Sequence, residues 1–171
     1  MEYFTIQVRS RGEERYIRLF NAKAPEIGAK LVFPLRRLSI KRAGKTKDEL
    51  VPVFPGYIFI EAESRLNPIL YWQLRRTEGF FRFLKSNQDV QALEGRDLET
   101  VLHFIGIGKV AEKSKVYFDD AERIVVAEGP LKGLEGKIIK VDKRKGRAKV
   151  KLDLYDDSFA IDLAFEVIAH V

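Results

Sequence analysis

The side chains of this sequence whose type and spacing most clearly suggest a binding function are basic residues clustered near the C-terminus. Between Lys132 and Lys151 there are nine Lys and Arg residues, opposed only by Glu135 and Asp142, which gives this stretch a net charge of +7. Residues 152–171 contain five Asp and Glu residues and no Lys or Arg. Surfaces that serve only solubility usually mix both signs of charge. A block of one sign predicts a surface for an acidic partner such as nucleic acid.

The densest part of this block, Lys143–Arg147, is predicted to form the tip of a hairpin between two short strands, and we name it the basic turn. Lys149 and Lys151 continue on one face of the second strand, because side chains alternate along a strand. Such an array suits the phosphates of a folded RNA that is recognised by its shape. The alternative is a basic turn that only solubilises the protein. The candidate RNA contacts are Lys132, Lys143, Arg144, Lys145, Arg147 and Lys149.

A second segment, Val53–Ile60, is rich in aromatic residues, and we name it the aromatic segment. If it is a strand, Tyr57 and Phe59 share one face while Ile58 and Ile60 share the other. An exposed cluster of aromatic residues marks a binding surface, whereas the alternative is that every one of them belongs to the core. The candidates for such a surface are Phe54, Tyr57, Phe59 and Trp72.

Residues that would indicate an enzyme or a metal centre are scarce. The sequence contains no G-x-S-x-G, P-loop or H-E-x-x-H pattern, and it has no cysteine, which excludes thiolate catalysis, disulfides and cysteine-based metal sites. The two histidines, His103 and His170, are isolated in the sequence. We therefore expect a protein without catalytic activity, bound metal or cofactor.

The N-terminal part of the chain must position the aromatic segment, and its pattern predicts β-α-β-β-α-β-α. Asn67 followed by Pro68 is a typical helix start, and the basic stretch Lys41–Lys47 is predicted as a hairpin tip. This order favours an antiparallel sheet with helices, an α+β fold. The predicted strands are residues 2–8, 31–40, 51–61 and 80–84, and the third helix contains Leu98, Val101, Leu102 and Ile105.

The C-terminal part must position the basic turn, and beyond Gly108 the pattern contains short strands without a helix. Turns every 8–12 residues are typical of a small barrel. We predict an N-terminal domain of residues 1–108, a linker of residues 109–118 and a C-terminal domain of residues 119–171. The sequence has neither an apolar signal segment at its start nor a run of about 20 apolar residues. A cytoplasmic protein that does not bind membranes is expected.

Two stretches of the sequence are similar to known motifs. The segment Ile124–Val150 resembles the KOW motif in its Gly-Pro-x-x-Gly-x-x-Gly turn and in the basic turn that follows. Phe54-Pro55-Gly56-Tyr57 resembles the signature of the NGN domain, and Arg11-Gly12-Glu13 and Arg76-Thr77-Glu78-Gly79-Phe80 stand where NGN domains have similar residues. The resemblance covers nearly the whole chain in the right order. By this resemblance the chain is identified as a member of the NusG/Spt5 family of transcription elongation factors.

Within that family the sequence is most similar to LoaP, a specialised antitermination paralogue. This similarity lies in Gly129–Gly136, Val141–Lys149 and Phe104–Lys109. Housekeeping NusG proteins usually have Phe in place of Leu131, and an F-G-R-x-T-P-V-E-L loop in place of Tyr155–Phe159. The resemblance therefore implies an operon-specific antitermination role. The alternatives are a housekeeping NusG that couples RNA polymerase to the ribosome or to Rho, and a ribosomal or RNA-maturation protein with a KOW domain.

The resemblance also implies a fold and a set of partners. An NGN domain would be followed by a small SH3-like KOW barrel, in a monomer. The NGN domain would bind the clamp helices of the large RNA polymerase subunit through Phe54, Tyr57, Phe59 and Trp72, close to the non-template DNA strand. The KOW domain would bind an RNA hairpin in the leader of the transcript. DNA contacts are expected from Arg11, Arg75 and Arg76, for which ordinary helix-end charges are the alternative.

Overall fold

The first strand shows how the pattern of the sequence becomes a sheet in this computed structural model, which describes residues 1–23 and 28–169. Phe4, Ile6 and Val8 alternate with polar neighbours and are buried on one face. This strand is β1, and the elements in chain order are β1 (Glu2–Val8), α1 (Glu13–Lys23), β2 (Ala29–Val32), β3 (Leu35–Arg42), β4 (Lys45–Pro52), β5 (Tyr57–Ala62), α2 (Pro68–Arg76), β6 (Phe80–Leu84), α3 (Gly95–Ile107), β7 (Val110–Ala111), β8 (Ser114–Phe118), β9 (Ile124–Glu128), a short 3₁₀ helix (Glu135–Lys137), β10 (Ile138–Asp142), β11 (Arg147–Leu154) and β12 (Asp157–Val167).

The chain forms two compact units and changes from one to the other three times, the last time within α3. The first unit comprises Met1–Phe33 and Phe54–Glu99, and the second comprises Pro34–Val53 and the chain from Thr100 onward. The β3–β4 hairpin therefore belongs to the same unit as β8–β12. The predicted domain boundaries at residues 108 and 119 stay a prediction.

The first unit contains an antiparallel four-stranded sheet in the order β2-β5-β1-β6. Phe4 lies opposite Ile60 and Ile6 lies opposite Ile58, so the apolar faces of β1 and β5 coincide. The helices cover this face with residues spaced four apart, the spacing that places side chains on one side of a helix. Those helical core residues are Tyr16 and Phe20 in α1 and Leu70 and Leu74 in α2.

Local hydrogen bonds fix both helices. Asn67 caps α2 as predicted, because its Oδ1 accepts a hydrogen bond from the backbone nitrogen of Leu70 at 2.8 Å. The hydroxyl of Tyr16 donates to the carbonyl oxygen of Leu74 at 2.5 Å and so ties α1 to α2. Burial raises the pKa of Tyr16, so this hydroxyl remains a donor throughout the physiological range.

The predicted strand pair 31–40 and 51–61 is wrong in detail, because the structure forms four strands there. Pro34 lies in the break between β2 and β3, where β2 joins the sheet of β5 while β3 pairs with β4. The second break follows β4, and Gly56 adopts a φ of +83° just before β5. Ala43 and Gly44, both with positive φ, form the tip of the β3–β4 hairpin, which is tighter than the predicted Lys41–Lys47 tip.

The second unit contains a three-stranded sheet in the order β4-β3-β7 and a five-stranded sheet in the order β10-β11-β12-β8-β9. The segment predicted as a linker thus forms the strands β7 and β8. Ser114 at the start of β8 is buried, and its hydroxyl accepts from the backbone nitrogen of Leu131 at 2.9 Å. Gly129 passes so close that a Cβ at that position would lie 2.6 Å from the Cα of Ser114.

The α+β fold class is confirmed, with a helix-covered sheet followed by a C-terminal part made of strands. In the described ranges 1–23 and 28–169, we find no helix whose length and hydropathy would let it cross a membrane.

Candidate nucleic-acid interface

The basic turn connects β10 and β11 and is held at both ends. The Oδ1 atom of Asp142 accepts a hydrogen bond from the backbone nitrogen of Lys145 at 2.9 Å, and this bond lowers the pKa of Asp142. The carbonyl oxygen of Gly146 accepts from the backbone nitrogen of Phe165 at 2.9 Å. Gly146 has a φ of +65°, and a Cβ there would lie 2.9 Å from the carbonyl oxygen of Phe165. The basic turn is therefore a fixed scaffold for its side chains.

The strand after this turn places its charges on one face. Ala148, Val150 and Leu152 are buried, whereas the alternate residues Arg147 and Lys149 are half-buried and Lys151 is exposed. Lys149 also lies opposite Lys140 of β10 in the antiparallel pairing. The predicted alternation of β11 is thus confirmed, and it aligns cations from neighbouring strands.

Three of the candidate RNA contacts, Arg144, Lys145 and Arg147, line one cleft of about 550 Å³, which we name the turn cleft. Its other described lining residues come from the β3–β4 hairpin and are Ser39, Ile40, Lys41 and Thr46. No carboxylate occurs among the described residues that line it. The cleft therefore presents four cations, of which Arg147 lies 3.8 Å from the carboxylate of Asp162, and its wall residue Ser39 donates to the carboxylate of Asp48 at 2.6 Å.

A smaller depression of about 110 Å³ continues from the turn cleft along the strands. It shares Lys145 and Arg147 with the turn cleft and adds Lys140 and Lys149, together with the carboxylates of Asp142 and Asp162. The two cavities share residues, so their cations form one continuous track across the face of β10 and β11.

The side chain of Arg147 is held by contacts on both sides of the turn cleft. Its Nη2 donates to the carbonyl oxygen of Ser39 in β3, and its Nη1 lies 3.8 Å from the Oδ2 of Asp162. Arg36 of β3 approaches from the same side and donates to the carbonyl oxygen of Asp162 and, at 3.1 Å, to that of Pro52. Burial lowers the pKa of Arg36, and the charge of Asp162 opposes this effect. These bonds hold the hairpin against the five-stranded sheet within the second unit.

The structure places two candidate RNA contacts, Lys132 and Lys143, outside both the turn cleft and the smaller depression, which corrects the predicted grouping. Lys143 turns away and donates to Oε2 of Glu122, with its Nζ lying 4.1 Å from the ring centroid of Phe118. Lys132 donates to the carbonyl oxygen of Val126 at 3.2 Å. The direction of a long side chain depends on the nearest partner, which the sequence alone does not show.

The aromatic segment is largely interior, which corrects the prediction of an exposed aromatic surface. Phe54 is 1% exposed and Phe59 is 0% exposed, and their rings meet edge to face at 5.2 Å between centroids. Rings this deeply buried cannot bind a partner in the structure as it stands. Tyr57 is half-buried.

Trp72 remains at the surface of the first unit, with 46% of its area exposed. The guanidinium carbons of Arg75 and Arg76 lie 5.5 Å and 5.4 Å from the centroid of its ring, within cation–π distance. The structure thus brings two predicted DNA contacts to one exposed aromatic residue. Arg11 is exposed with a φ of +67°, and in the described chain no hydrogen bond or ion pair joins it to this group.

Sequence reasoning missed Lys41, Thr46 and Lys140 as members of the cationic surface. The basic character of the hairpin tip was visible in the sequence, but nothing indicated that the tip meets the basic turn about 100 residues later. His103 is half-buried, and its Nε2 lies 2.7 Å from the carbonyl oxygen of Pro130. Over residues 1–23 and 28–169, no group of three or more His, Cys, Asp or Glu is arranged to hold a metal. His170 lies outside the described residues.

The model of the family described as transcription termination factor NusG matches residues 1–102, which is more than half of the chain. The chain belongs to the NusG family. This confirms the resemblance to NusG/Spt5 proteins and assigns the chain to a family of transcription factors, not of enzymes.

Similar members of the NusG family come from several bacteria. The transcription termination/antitermination protein NusG of Helicobacter pylori is 21% identical over 169 residues, covering 95% of this chain and 94% of that protein. NusG of Pasteurella multocida is 25% identical over 154 residues, covering 90% of this chain and 82% of that protein. A solved structure described as domain interaction in Thermotoga maritima NusG has a TM-score of 0.58 at 20% identity, covering 95% of this chain and 93% of its own.

Proposed function

We propose that this NusG-family protein is a LoaP-like antitermination factor that binds RNA polymerase through its first unit and leader RNA through its second unit. The single observation that supports RNA binding is the turn cleft, because Arg144, Lys145 and Arg147 meet there without a carboxylate in the described walls. Phosphates are the ligands that such an array attracts, and a folded RNA presents them in a fixed spatial pattern.

The polymerase contact is proposed for the exposed aromatic residues of the first unit. Trp72 and the half-buried Tyr57 are accessible, and aromatic anchors at the centre of an interface usually supply most of the binding energy. The clamp helices of the large polymerase subunit are the proposed partner, by the family resemblance. Phe54 and Phe59 support this surface from the interior instead of touching the partner.

Contact with the non-template DNA strand is proposed for Arg75 and Arg76. Their guanidinium groups bind phosphates, and the neighbouring ring of Trp72 offers a flat surface on which an unpaired base can stack. Arg11 contributes a further exposed cation to the same unit. A protein positioned in this way acts on the elongating polymerase without catalysing a reaction of its own.

A housekeeping role is the second candidate, because similar proteins of Helicobacter pylori and Pasteurella multocida are named as termination/antitermination protein NusG. In that role the second unit would bind ribosomal protein S10 or Rho instead of a particular RNA. A KOW-containing ribosomal or RNA-maturation protein is the third candidate, and the family match over residues 1–102 speaks against it.

Crosslinking of RNA to the full-length protein in cells, followed by sequencing, tests the proposal. We expect the crosslinks to concentrate in the leaders of a few operons and to decrease when both Arg144 and Lys145 are replaced by Ala. A housekeeping factor would instead give crosslinks spread over most transcripts, together with binding of the full-length protein to S10. Crosslinks confined to ribosomal RNA, without co-purification of RNA polymerase, would support the third candidate.

A further inference from the structure

We propose that the β3–β4 hairpin forms the second wall of the RNA site, so that Lys41 and Thr46 bind the RNA backbone together with the basic turn. This inference rests on the proposed RNA-binding function. It extends the site from one stretch of sequence to two stretches about 100 residues apart, which belong to the same compact unit.

The register of the hairpin places the required groups on one face. Lys41 of β3 lies directly opposite Thr46 of β4, and both line the turn cleft along with Ser39, two residues before Lys41. A lysine ammonium and a threonine hydroxyl are both donors to phosphate oxygens. Lys47 follows Thr46 in β4, so its side chain alternates to the other face of that strand, and Lys47 is not among the described residues that line the turn cleft.

The charges on the two walls are available to a ligand. Lys41, Arg144 and Lys145 are exposed, and within the part of the chain that the structure describes none of these side chains forms a salt bridge. At about 550 Å³ the cleft falls within the range of roughly 300–1,000 Å³ that is usual for ligand sites. Cations on facing walls can bind one phosphate group from both sides.

The walls are also held at a fixed separation before any ligand arrives. Arg147 donates to the carbonyl oxygen of Ser39 across the cleft, and Arg36 of the same hairpin donates to that of Asp162 in β12. A site whose donors are already positioned loses less entropy on binding. Beyond the cleft, Lys149 and Lys140 continue the track toward further phosphates.

The chemistry of the lining indicates which form of RNA fits. The described residues of the turn cleft include no aromatic ring on which an unpaired base could stack. Single-stranded nucleic acid is usually held by such stacking, whereas a folded RNA is recognised through its backbone. The occupant that we propose is therefore the backbone of an RNA hairpin.

The test uses the full-length chain and a fluorescein-labelled RNA hairpin with a GC-rich stem and a UUCG loop. Fluorescence anisotropy over a range of KCl concentrations gives the affinity and its salt slope. We expect Lys41→Ala to weaken binding roughly five-fold at low salt and to reduce the slope by about one unit. The matched control Lys47→Ala removes the same charge from the other face and should change neither value. Lys41→Arg should restore binding.

A reference variant, Lys145→Ala, separates the two possible failures. If Lys145→Ala weakens binding while Lys41→Ala behaves like Lys47→Ala, the hairpin is not part of the site and this inference is overturned, although the proposed RNA function stands. If the unaltered protein does not bind the hairpin at low salt, or if Lys145→Ala has no effect, the proposed function fails and the inference fails with it. Thermal unfolding of each variant shows whether the fold is intact, and Lys41 is exposed, so no loss is expected.

Discussion

The aromatic segment and the basic turn were selected from the sequence by the same kind of reasoning, yet the structure treats them differently. Phe54 and Phe59 of the aromatic segment are buried, whereas Arg144 and Lys145 of the basic turn are exposed at the edge of a cleft. Apolar rings are stabilised equally well by a core and by a partner, so their type does not decide between the two. Charged groups are costly to bury, so a dense basic cluster must lie at the surface.

Truncation of one aromatic residue from each environment gives the largest expected contrast in stability. Phe59→Ala should lower the free energy of unfolding by about 3–5 kcal/mol, because it leaves a cavity in the interior. Trp72→Ala should cost less than about 1 kcal/mol, because much of the ring is already in water. Urea denaturation measures both values. Equal losses for the two variants would remove the distinction between a core ring and a surface ring.

For polymerase binding, we expect the exposed Trp72, which contributes little to stability, to matter more than another exposed aromatic residue. Trp72→Ala should weaken binding to core RNA polymerase by more than about 1 kcal/mol, the usual threshold for an interface anchor. Phe81, which is 59% exposed on β6, provides a matched control, and Phe81→Ala should leave binding unchanged. Biolayer interferometry with immobilised polymerase measures both. A larger effect for Phe81 than for Trp72 would move the docking surface away from α2.

The geometry of the basic turn can be disturbed without changing its charge. Gly146→Ala should destabilise the protein by about 1–2 kcal/mol, because it places a side chain at a φ of +65° and a Cβ 2.9 Å from the carbonyl oxygen of Phe165. Gly136→Ala, where a Cβ meets no atom within 4 Å, is the control and should be nearly neutral. Thermal unfolding and RNA affinity are measured together. A stable Gly146→Ala variant with normal affinity would show that the turn does not depend on this anchoring.

A single carboxylate beside the track should give the smallest effect. Asp142→Asn keeps the oxygen that accepts from the backbone nitrogen of Lys145 but removes the negative charge. RNA affinity at neutral pH should therefore rise about two-fold, because one repulsion with phosphate is lost. The lowered pKa of Asp142 means that this carboxyl is ionised at neutral pH in the unaltered protein, and it loses its charge only as the pH falls through that lowered value. Weaker binding by the Asn variant would contradict a phosphate ligand near this strand.

Much of the fold could be predicted because it depends on local patterns. The alternation in β1 and β11 and the cap at Asn67 were all visible in the sequence. The strands β7 and β8 were missed because their short, mixed sequences form strands by pairing with other segments, β7 with β3 and β8 with β9 and β12. Pairing between distant segments depends on tertiary packing, which short-range patterns do not encode.

The same limit applies to the candidate site. The charge of the basic turn was predictable, but the direction of Lys143 toward Glu122 and the approach of Lys41 to Arg144 both depend on segments distant in the chain. The burial of Phe54 and Phe59 could not be predicted from the sequence either, because a small α+β unit can place its aromatic residues in the core or at a binding surface. Residue type therefore indicated two candidate surfaces, and the structure shows which of their residues are exposed.

The measurement that tests the central claim most directly is the salt dependence of RNA binding for two variants that remove charge from the same turn. In the Arg144→Ala/Lys145→Ala double variant, the slope of log affinity against log salt should fall by about 1.5 units, because two contacts that release counterions are lost. Lys143→Ala, whose side chain faces Glu122, should leave the slope nearly unchanged. Equal slopes for the double variant and the unaltered protein, or a larger change for Lys143→Ala, would contradict RNA binding in the turn cleft.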